Sequence, residues 1–426
     1  MNHRITCLLL GCVFVWGIAG VRAQQPAGAA APIGGAERWY QQLIAALDGM
    51  QADLPKISQS ASEAAGMYVK ENLPIAAVGD RVFAFEAVGR CGGMMSIEHV
   101  NPAKQPQWKG IVLYGLQGPG LADEDARQIQ LLHDRGCKIV AFGRSEWITQ
   151  NAAAKAIDWA IDIHTTGPDG LFATADGKRI VPVHEAANVL ALWTWTGEFV
   201  AACTREGKMP TMYRGFVFAG GQERATKIGK AKFHDIAPTP AEPLVSGQTY
   251  LRELRKCLVA LHATQMNQIK EAAGMASATR AAGKKMYCLA DGHTVGNMFR
   301  RPYDPGFFIE LGPWSPSEVI PPLQADELLF ALGYTSPFMY DIGKAGLEAC
   351  SKSGICVIGA ARALDEPVKT KLPKMLFIDE NWPDEDCIVQ FPGYDIKVLP
   401  PSGVMQLAVY EMICAEMVEP GTPAGK

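Results

Sequence analysis

Val112-Leu-Tyr-Gly-Leu-Gln-Gly-Pro-Gly120 is a short apolar run that ends in a glycine-rich turn, and the chain uses it twice. A polar–apolar stretch leads from it to Arg135-Gly136, followed by a second apolar run, Cys137-Lys-Ile-Val-Ala-Phe-Gly-Arg144. Downstream stand Phe330-Ala-Leu-Gly-Tyr-Thr-Ser-Pro-Phe338, a stretch to Ser353-Gly354, and Ile355-Cys-Val-Ile-Gly-Ala-Ala-Arg362. Gly115 falls on Gly333, Pro119 on Pro337, Asp123 on Asp341, Gly136 on Gly354 and Arg144 on Arg362, all at a separation of 218 (333 − 115). The same separation carries Pro182 to Pro400 and Glu198 to Glu416. Ungapped identities at turn, helix-end and helix-body positions indicate a duplicated unit.

Upstream, Val82-Phe-Ala-Phe-Glu-Ala-Val-Gly-Arg-Cys-Gly-Gly93 pairs with Met286-Tyr-Cys-Leu-Ala-Asp-Gly-His-Thr-Val-Gly296, which sets Gly89 on Gly292 at a separation of 203 (292 − 89). The difference of 15 (218 − 203) predicts an insertion in the second copy, with Arg300 to Pro316 as its site. That segment is rich in proline and aromatics, and such a loop beside a strand end is expected to line or cover a cleft. Each copy opens with an amphipathic helical stretch, Trp39 to about Asn72 and Tyr250 to about Ala282, the latter with Leu251, Leu254, Leu258 and Leu261 at helical spacing. Short apolar strands then alternate with helices. This order predicts an α/β fold of two tandem flavodoxin-like three-layer units, each a parallel sheet flanked by helices.

The 426 residues, 48% hydrophobic and 20% charged, describe a globular chain of two or three domains. A net charge of −4 offers no general attraction to a polyanion, so no nucleic-acid partner is expected. At the start, Arg4, the apolar run Leu8 to Ile18 and Val21-Arg22-Ala23 read as an export signal cut before Gln24, which makes the protein periplasmic or extracellular. If uncleaved, the same segment is the chain's membrane contact. The expected organisation is signal 1–23, flexible tether 24–36, unit 37–219, a Pro/Gly-rich linker 220–247, unit 248–419 and a tail 420–426. Cys7 and Cys12 lie in the signal; nine cysteines remain, mostly in apolar context. Buried thiols fit that context, with one or two disulfides open to them in an oxidising compartment. No C-x-x-C or C-x-x-H pair suggests a metal site, and no cofactor is expected.

In an open parallel sheet, ligands bind outside the carboxyl ends of the strands. Four loops are placed there: Gly89-Arg90-Cys91-Gly92-Gly93, Gly115 to Pro119 with Gln117 and Gly118, Asp291-Gly292-His293-Thr294 to Gly296, and Gly333 to Pro337 with Thr335 and Ser336. Thr335-Ser336 offers two hydroxyls for a phosphate or sugar oxygen. Arg144 and Arg362, each after the third strand, hold either an anionic ligand or a neighbouring carboxylate. A G-x-S-x-G nucleophile elbow and G-x-G-x-x-G spacing are both absent, which disfavours hydrolase and dinucleotide readings.

The tandem order resembles the double SIS (sugar isomerase) family over about residues 37 to 418. Lys397-Val-Leu-Pro-Pro-Ser402-Gly-Val-Met-Gln-Leu-Ala to Glu419 is similar to the final SIS helix, and Leu192-Trp-Thr-Trp-Thr-Gly-Glu-Phe-Val200 takes its place in copy one. The resemblance implies a small-molecule partner, a sugar or sugar phosphate, with some members isomerising it and others sensing it; a homodimer is one assembly open to such a protein. Aldose–ketose isomerisation needs a base near C2 and an acid for ring opening. Glu198 or Glu416 is the candidate base and His293 the candidate acid, the alternative for either glutamate being a salt-bridged helix face. SIS enzymes usually carry a serine/threonine-rich phosphate loop, of which Thr335-Ser336 keeps a part and Gln117-Gly118 almost none.

Overall fold

The computed structural model describes residues 33–229, 231–299, 301–311, 322–339 and 341–418. The expected signal, residues 24–32 of the tether, residues 312–316 of the inserted loop and the tail lie outside the described residues. The first half opens with α1 (Gly35–Lys70), then β1 (Ile75–Gly79), α2 (Arg81–Ala87), β2 (Ile97–His99), β3 (Ile111–Gly115), α3 (Ala122–Asp134), β4 (Lys138–Gly143), α4 (Ser145–Gln150) and β5 (Trp159–Asp162). A small hairpin, β6 (Phe172–Ala173) and β7 (Arg179–Ile180), leads into α5 (His184–Arg205). The connection carries α6 (Gly221–Ile228). The second half runs α7 (Val245–Ala281), β8 (Met286–Ala290), β9 (Ile309–Leu311), β10 (Leu328–Leu332), α8 (Asp341–Ser353), β11 (Cys356–Ala361), α9 (Glu366–Lys371) and β12 (Leu376–Asp379). It closes with the hairpin β13 (Val389–Gln390) and β14 (Lys397–Val398) and with α10 (Ser402–Met417).

Each half builds one five-stranded sheet, ordered β2-β1-β3-β4-β5 and β9-β8-β10-β11-β12. Every pairing within them is parallel. Both are the flavodoxin-like order 2-1-3-4-5, so the α/β fold of two tandem units is what the chain adopts. The order reverses beside the first strand, which opens a crevice at the ends of β1 and β3 and of β8 and β10.

The strands read as continuous apolar runs because both faces are covered. Alternate residues point to opposite faces. Val112 and Tyr114 pack outward on Ile129 and Leu132 of α3 and Ile148 of α4. In the second sheet Leu329 and Ala331 pack outward on Leu347 of α8 and Val368 of α9. Ile111, Leu113 and Phe330 face inward, into one apolar cluster with α1, α5, α7 and α10. α5 is buried from His184 to Thr204 and α10 nearly throughout, as a helix enclosed on all sides must be. That cluster extends from Trp39 and Leu113 to Phe330 and Met405. The units expected as 37–219 and 248–419 thus share a core.

Reciprocal contacts lock the halves together. Glu198, on α5, accepts from the Gly247 and Leu244 amides at 2.8 Å each and from Ser58 Oγ at 2.5 Å, capping the start of α7. Glu416, on α10, accepts from the Ala36 amide at 3.0 Å at the start of α1. Trp39 Nε1 donates to Pro182 O at 2.9 Å and Tyr250 OH to Pro400 O at 3.1 Å, the same contact in each half. The recurrence of the glutamates and prolines at 218 therefore marks a repeated way of seating the long helices.

The upstream pairing at 203 is corrected. Val82 to Ala87 belongs to α2, and the partner of β8 is β1. Asp80 donates its amide to Gly115 O and Asp291 its amide to Leu332 O, at 2.8 and 2.7 Å, so these two residues are the equivalent strand-end positions at a separation of 211 (291 − 80). Both stretches are apolar and end in glycine, and apolar character alone does not separate a short buried helix from a strand.

Candidate functional site

The end of β8, the end of β10 and two first-half loops enclose a cleft of about 570 Å³. Asp291, Gly292 and His293 follow β8, Tyr334 follows β10, and Gly89, Arg90 and Cys91 enter from the first half. Tyr213 to Val217, from the strap that leads to α6, forms the remaining wall. Phe216 is 57% exposed there, an aromatic face turned to solvent at the cleft. Gly89 has φ +68°, and a Cβ on it would stand 3.8 Å from His293 Cε1, so this glycine permits the loop its left-handed turn beside the imidazole.

Arg90 anchors the wall. Its Nε donates to both Glu86 oxygens at 3.0 and 3.1 Å, and its Nη2 lies 3.0 Å from Asp386 Oδ2. Asp386 also accepts from Tyr334 OH at 2.7 Å and from Ser402 N and Oγ at 3.1 and 2.8 Å. Trp193 Nε1 donates to Glu86 at 3.1 Å. This buried network crosses from the first half to the second and fixes Tyr334, whose ring stacks on Trp382 with centroids 4.9 Å apart.

Two titrating groups share the cleft. Asp291 is buried with no side-chain hydrogen bond among the described residues, and desolvation pushes its carboxyl up to about 7. His293 Nδ1 lies 3.1 Å from Phe85 O, an arrangement in which the ring nitrogen donates. Burial, then the Arg90 charge, hold this imidazole down at about 4. It is neutral near pH 7, so it is not a ready general acid; protonated Asp291 fits that task better.

Of the expected site residues, Gly89, Arg90, Asp291, Gly292 and His293 meet in the cleft. Ser402 lies beneath it on Asp386. Gly92 is held behind the wall, its amide on Tyr213 O at 2.9 Å. Thr294 is buried and reaches Gly403 O at 3.3 Å. Thr335 turns to Met339 Sδ at 2.7 Å, and Ser336 is buried with no partner for its Oγ among the described residues. Arg144 and Arg362 pair with the exposed carboxylates of Glu146 and Asp384. Glu198 and Glu416 serve as helix caps and are corrected as bases: their carboxylates are committed to backbone amides away from the strand ends.

The equivalent crevice of the first half is filled. Gln117 is bound to Asp125 through its amide and side chain at 3.0 and 2.9 Å. A Cβ on Gly118 would run into Tyr303 OH. Tyr303 comes from the segment between β8 and β9, and its ring lies 5.0 Å from that of His184. Arg301 of the same loop pairs with Glu185 and Glu411. The space left beside Arg144, Asp169 and His184 is about 10 Å³, room for about one water. The segment expected as a 15-residue insertion thus covers a crevice, that of the first half; with the strand-end pairing at 211 the offset from 218 shrinks to 7 (218 − 211), and the segment carries β9, the counterpart of β2, so most of it is shared by both halves.

Reasoning from sequence missed Asp386, Tyr334 and the Tyr213 to Val217 strap. Asp169 and Asp386 stand at a separation of 217 (386 − 169), one residue off the main repeat, so an ungapped comparison passes over them.

No family model matches the sequence, and no curated protein does. Three solved structures are similar to this chain over most of its length. A Salmonella typhimurium LT2 protein named as sugar binding is 11% identical with a TM-score of 0.48, covering 89% of this chain and 100% of that one. The C-terminal domain of glucosamine-fructose-6-phosphate aminotransferase from Francisella tularensis is 11% identical with a TM-score of 0.46, covering 89% and 95%. A Silicibacter pomeroyi DSS-3 protein named as a phosphosugar isomerase is 12% identical with a TM-score of 0.45, covering 90% and 97%.

Proposed function

We propose that this is an exported, SIS-like protein that binds a sugar or sugar derivative, phosphorylated or not, in the cleft between its two halves. The observation that carries the reading is the cleft itself: about 570 Å³ at a topological switch point, with Arg90, Asp291 and His293 beside the rings of Tyr213, Phe216 and Tyr334. Sugars present hydroxyls at their edges and C–H faces above and below, which suits polar groups set among aromatic ones. Tyr303 occupies the crevice at the ends of β1 and β3, so the cleft at β8 and β10 is the expected ligand site.

The test is calorimetry and thermal shift of the purified chain against aldoses, ketoses, amino sugars and their phosphates. A saturable shift at one ligand per chain is expected, with Phe216→Ala weakening it about tenfold, as for an exposed aromatic contact of about 1.4 kcal/mol. A panel with no binding at all overturns the sugar reading. Titration separates the ligand classes. Asp291 becomes anionic as pH rises through about 7, so a sugar phosphate loses affinity from pH 6 to 8, while a neutral sugar changes less. N-terminal sequencing of the protein recovered from its producing cells tests export, a start at Gln24 being the expected result.

A second reading, aldose–ketose isomerisation, is favoured by the presence of Asp291 and His293 in one cleft. Asp291, poised near neutrality, shuttles the C2 proton in that reading. Exchange of the C2 hydrogen with deuterated solvent, lost in Asp291→Asn while binding persists, supports it; binding without exchange leaves the protein a sensor.

A further inference from the structure

We propose that Cys91 and Cys387 form a disulfide that joins the two halves at the wall of the cleft. Their sulfurs lie 3.8 Å apart with both thiols buried, and the residues are 296 positions apart in the chain. The bond would draw the sulfurs to a separation of about 2 Å.

The surrounding backbone holds the pair in place. One residue earlier on each strand of chain, Arg90 and Asp386 form their buried ion pair at 3.0 Å. One residue later, the Gly92 carbonyl accepts from the Leu399 amide at 3.0 Å. A Cβ on Gly92 would stand 2.6 Å from Cys387 Sγ, so the glycine leaves the sulfur its place. The Gly215 amide lies 3.1 Å from Cys91 Sγ, which ties the same thiol to the strap over the cleft.

The chemistry needs a disulfide-bearing oxidant, and Cys91 meets one first because it lines the cleft. Its thiolate attacks the oxidant, forming a mixed disulfide and releasing one thiol. The Cys387 thiolate then attacks Cys91 Sγ and expels the second thiol. Two protein thiols are oxidised, the oxidant's disulfide is reduced to two thiols, and the two cysteine protons leave with them. Burial raises the Cys387 thiol, so the second step is the slower one.

The experiment treats the intact purified chain with oxidised glutathione or with dithiothreitol, quenches in acid, alkylates after unfolding and digests without reduction. In the oxidised sample the peptide holding Cys91 is expected joined to that holding Cys387, lighter by two hydrogens than the sum of the free peptides. Dithiothreitol separates them. Cys387→Ser is expected to trap glutathione on Cys91 with no cross-link. Recovery of Cys91 and Cys387 as unlinked alkylated peptides from the oxidised wild-type chain, or their linkage to other cysteines, overturns the proposal. The wild-type map decides the matter whether or not the variant folds.

Discussion

Arg90→Leu is expected to lower stability by about 3–5 kcal/mol, read from the denaturation midpoint, because it strands two buried carboxylates. Glu86 and Asp386 lose the cation that both contact. The pH dependence is a second signature. Burial already raises Asp386 from 3.8 to about 6, with Arg90 pulling it back down, and burial raises Glu86 too, again against Arg90. For groups whose folded pKa exceeds the unfolded one, stability is greatest below the unfolded value and falls as pH rises through the folded value. Removing Arg90 raises both folded values further, so the penalty grows as pH rises past about 6, the folded value of Asp386 in the intact protein. A penalty independent of pH would show that the loss is one of packing. Glu86→Gln and Asp386→Asn combined with Arg90→Met, which remove all three charges, are expected to recover most of the loss.

Glu198→Ala is expected to cost about 2–4 kcal/mol, since it leaves two amides at the start of α7 and the Ser58 hydroxyl without an acceptor in a dry interior. Glu416→Ala, which removes one bond to Ala36 in a half-buried setting, is expected to cost about 0.5–1 kcal/mol. Thermal and chemical denaturation measure both. Ligand affinity in the cleft, measured on the folded fraction, is expected to be unchanged in each. A Glu198→Gln variant that folds stably yet loses turnover would restore this residue to the chemistry and sink the capping account.

The fold was legible where physics is local. Apolar runs closed by Gly115 or by Gly136, and their copies, identify β3, α3 and β4 with their second-half counterparts because a parallel strand buried on both faces has no other composition. Legibility failed at Val82 to Ala87, where a short, mostly buried helix has the composition of a strand. In the site, the glycine and polar turn at a strand end announced Asp291 to His293, whereas Gly89 and Arg90, placed at a strand end by the sequence, follow α2. The tasks of these residues were hidden. The shift of Asp291 arises from the depth at which the fold sets it, and the network around Arg90 draws on residues nearly 300 positions away. Glu198 and Glu416 illustrate the converse: their recurrence was visible, but a repeated carboxylate serves a helix end as readily as a substrate.

The crossed caps also bear on when the chain can fold as it is made. α1 leaves the ribosome early, yet the amide at its start is capped by Glu416, almost the last described residue to emerge. Its buried face, from Trp39 to Tyr68, has to wait for α10 as well as α5 before it is fully covered. Domains that close on themselves can fold in succession during synthesis. Here α10 completes the cover of α1, so the native core closes only after α10 has been made, and a chain truncated before α10 is expected to expose that face to chaperones and proteases.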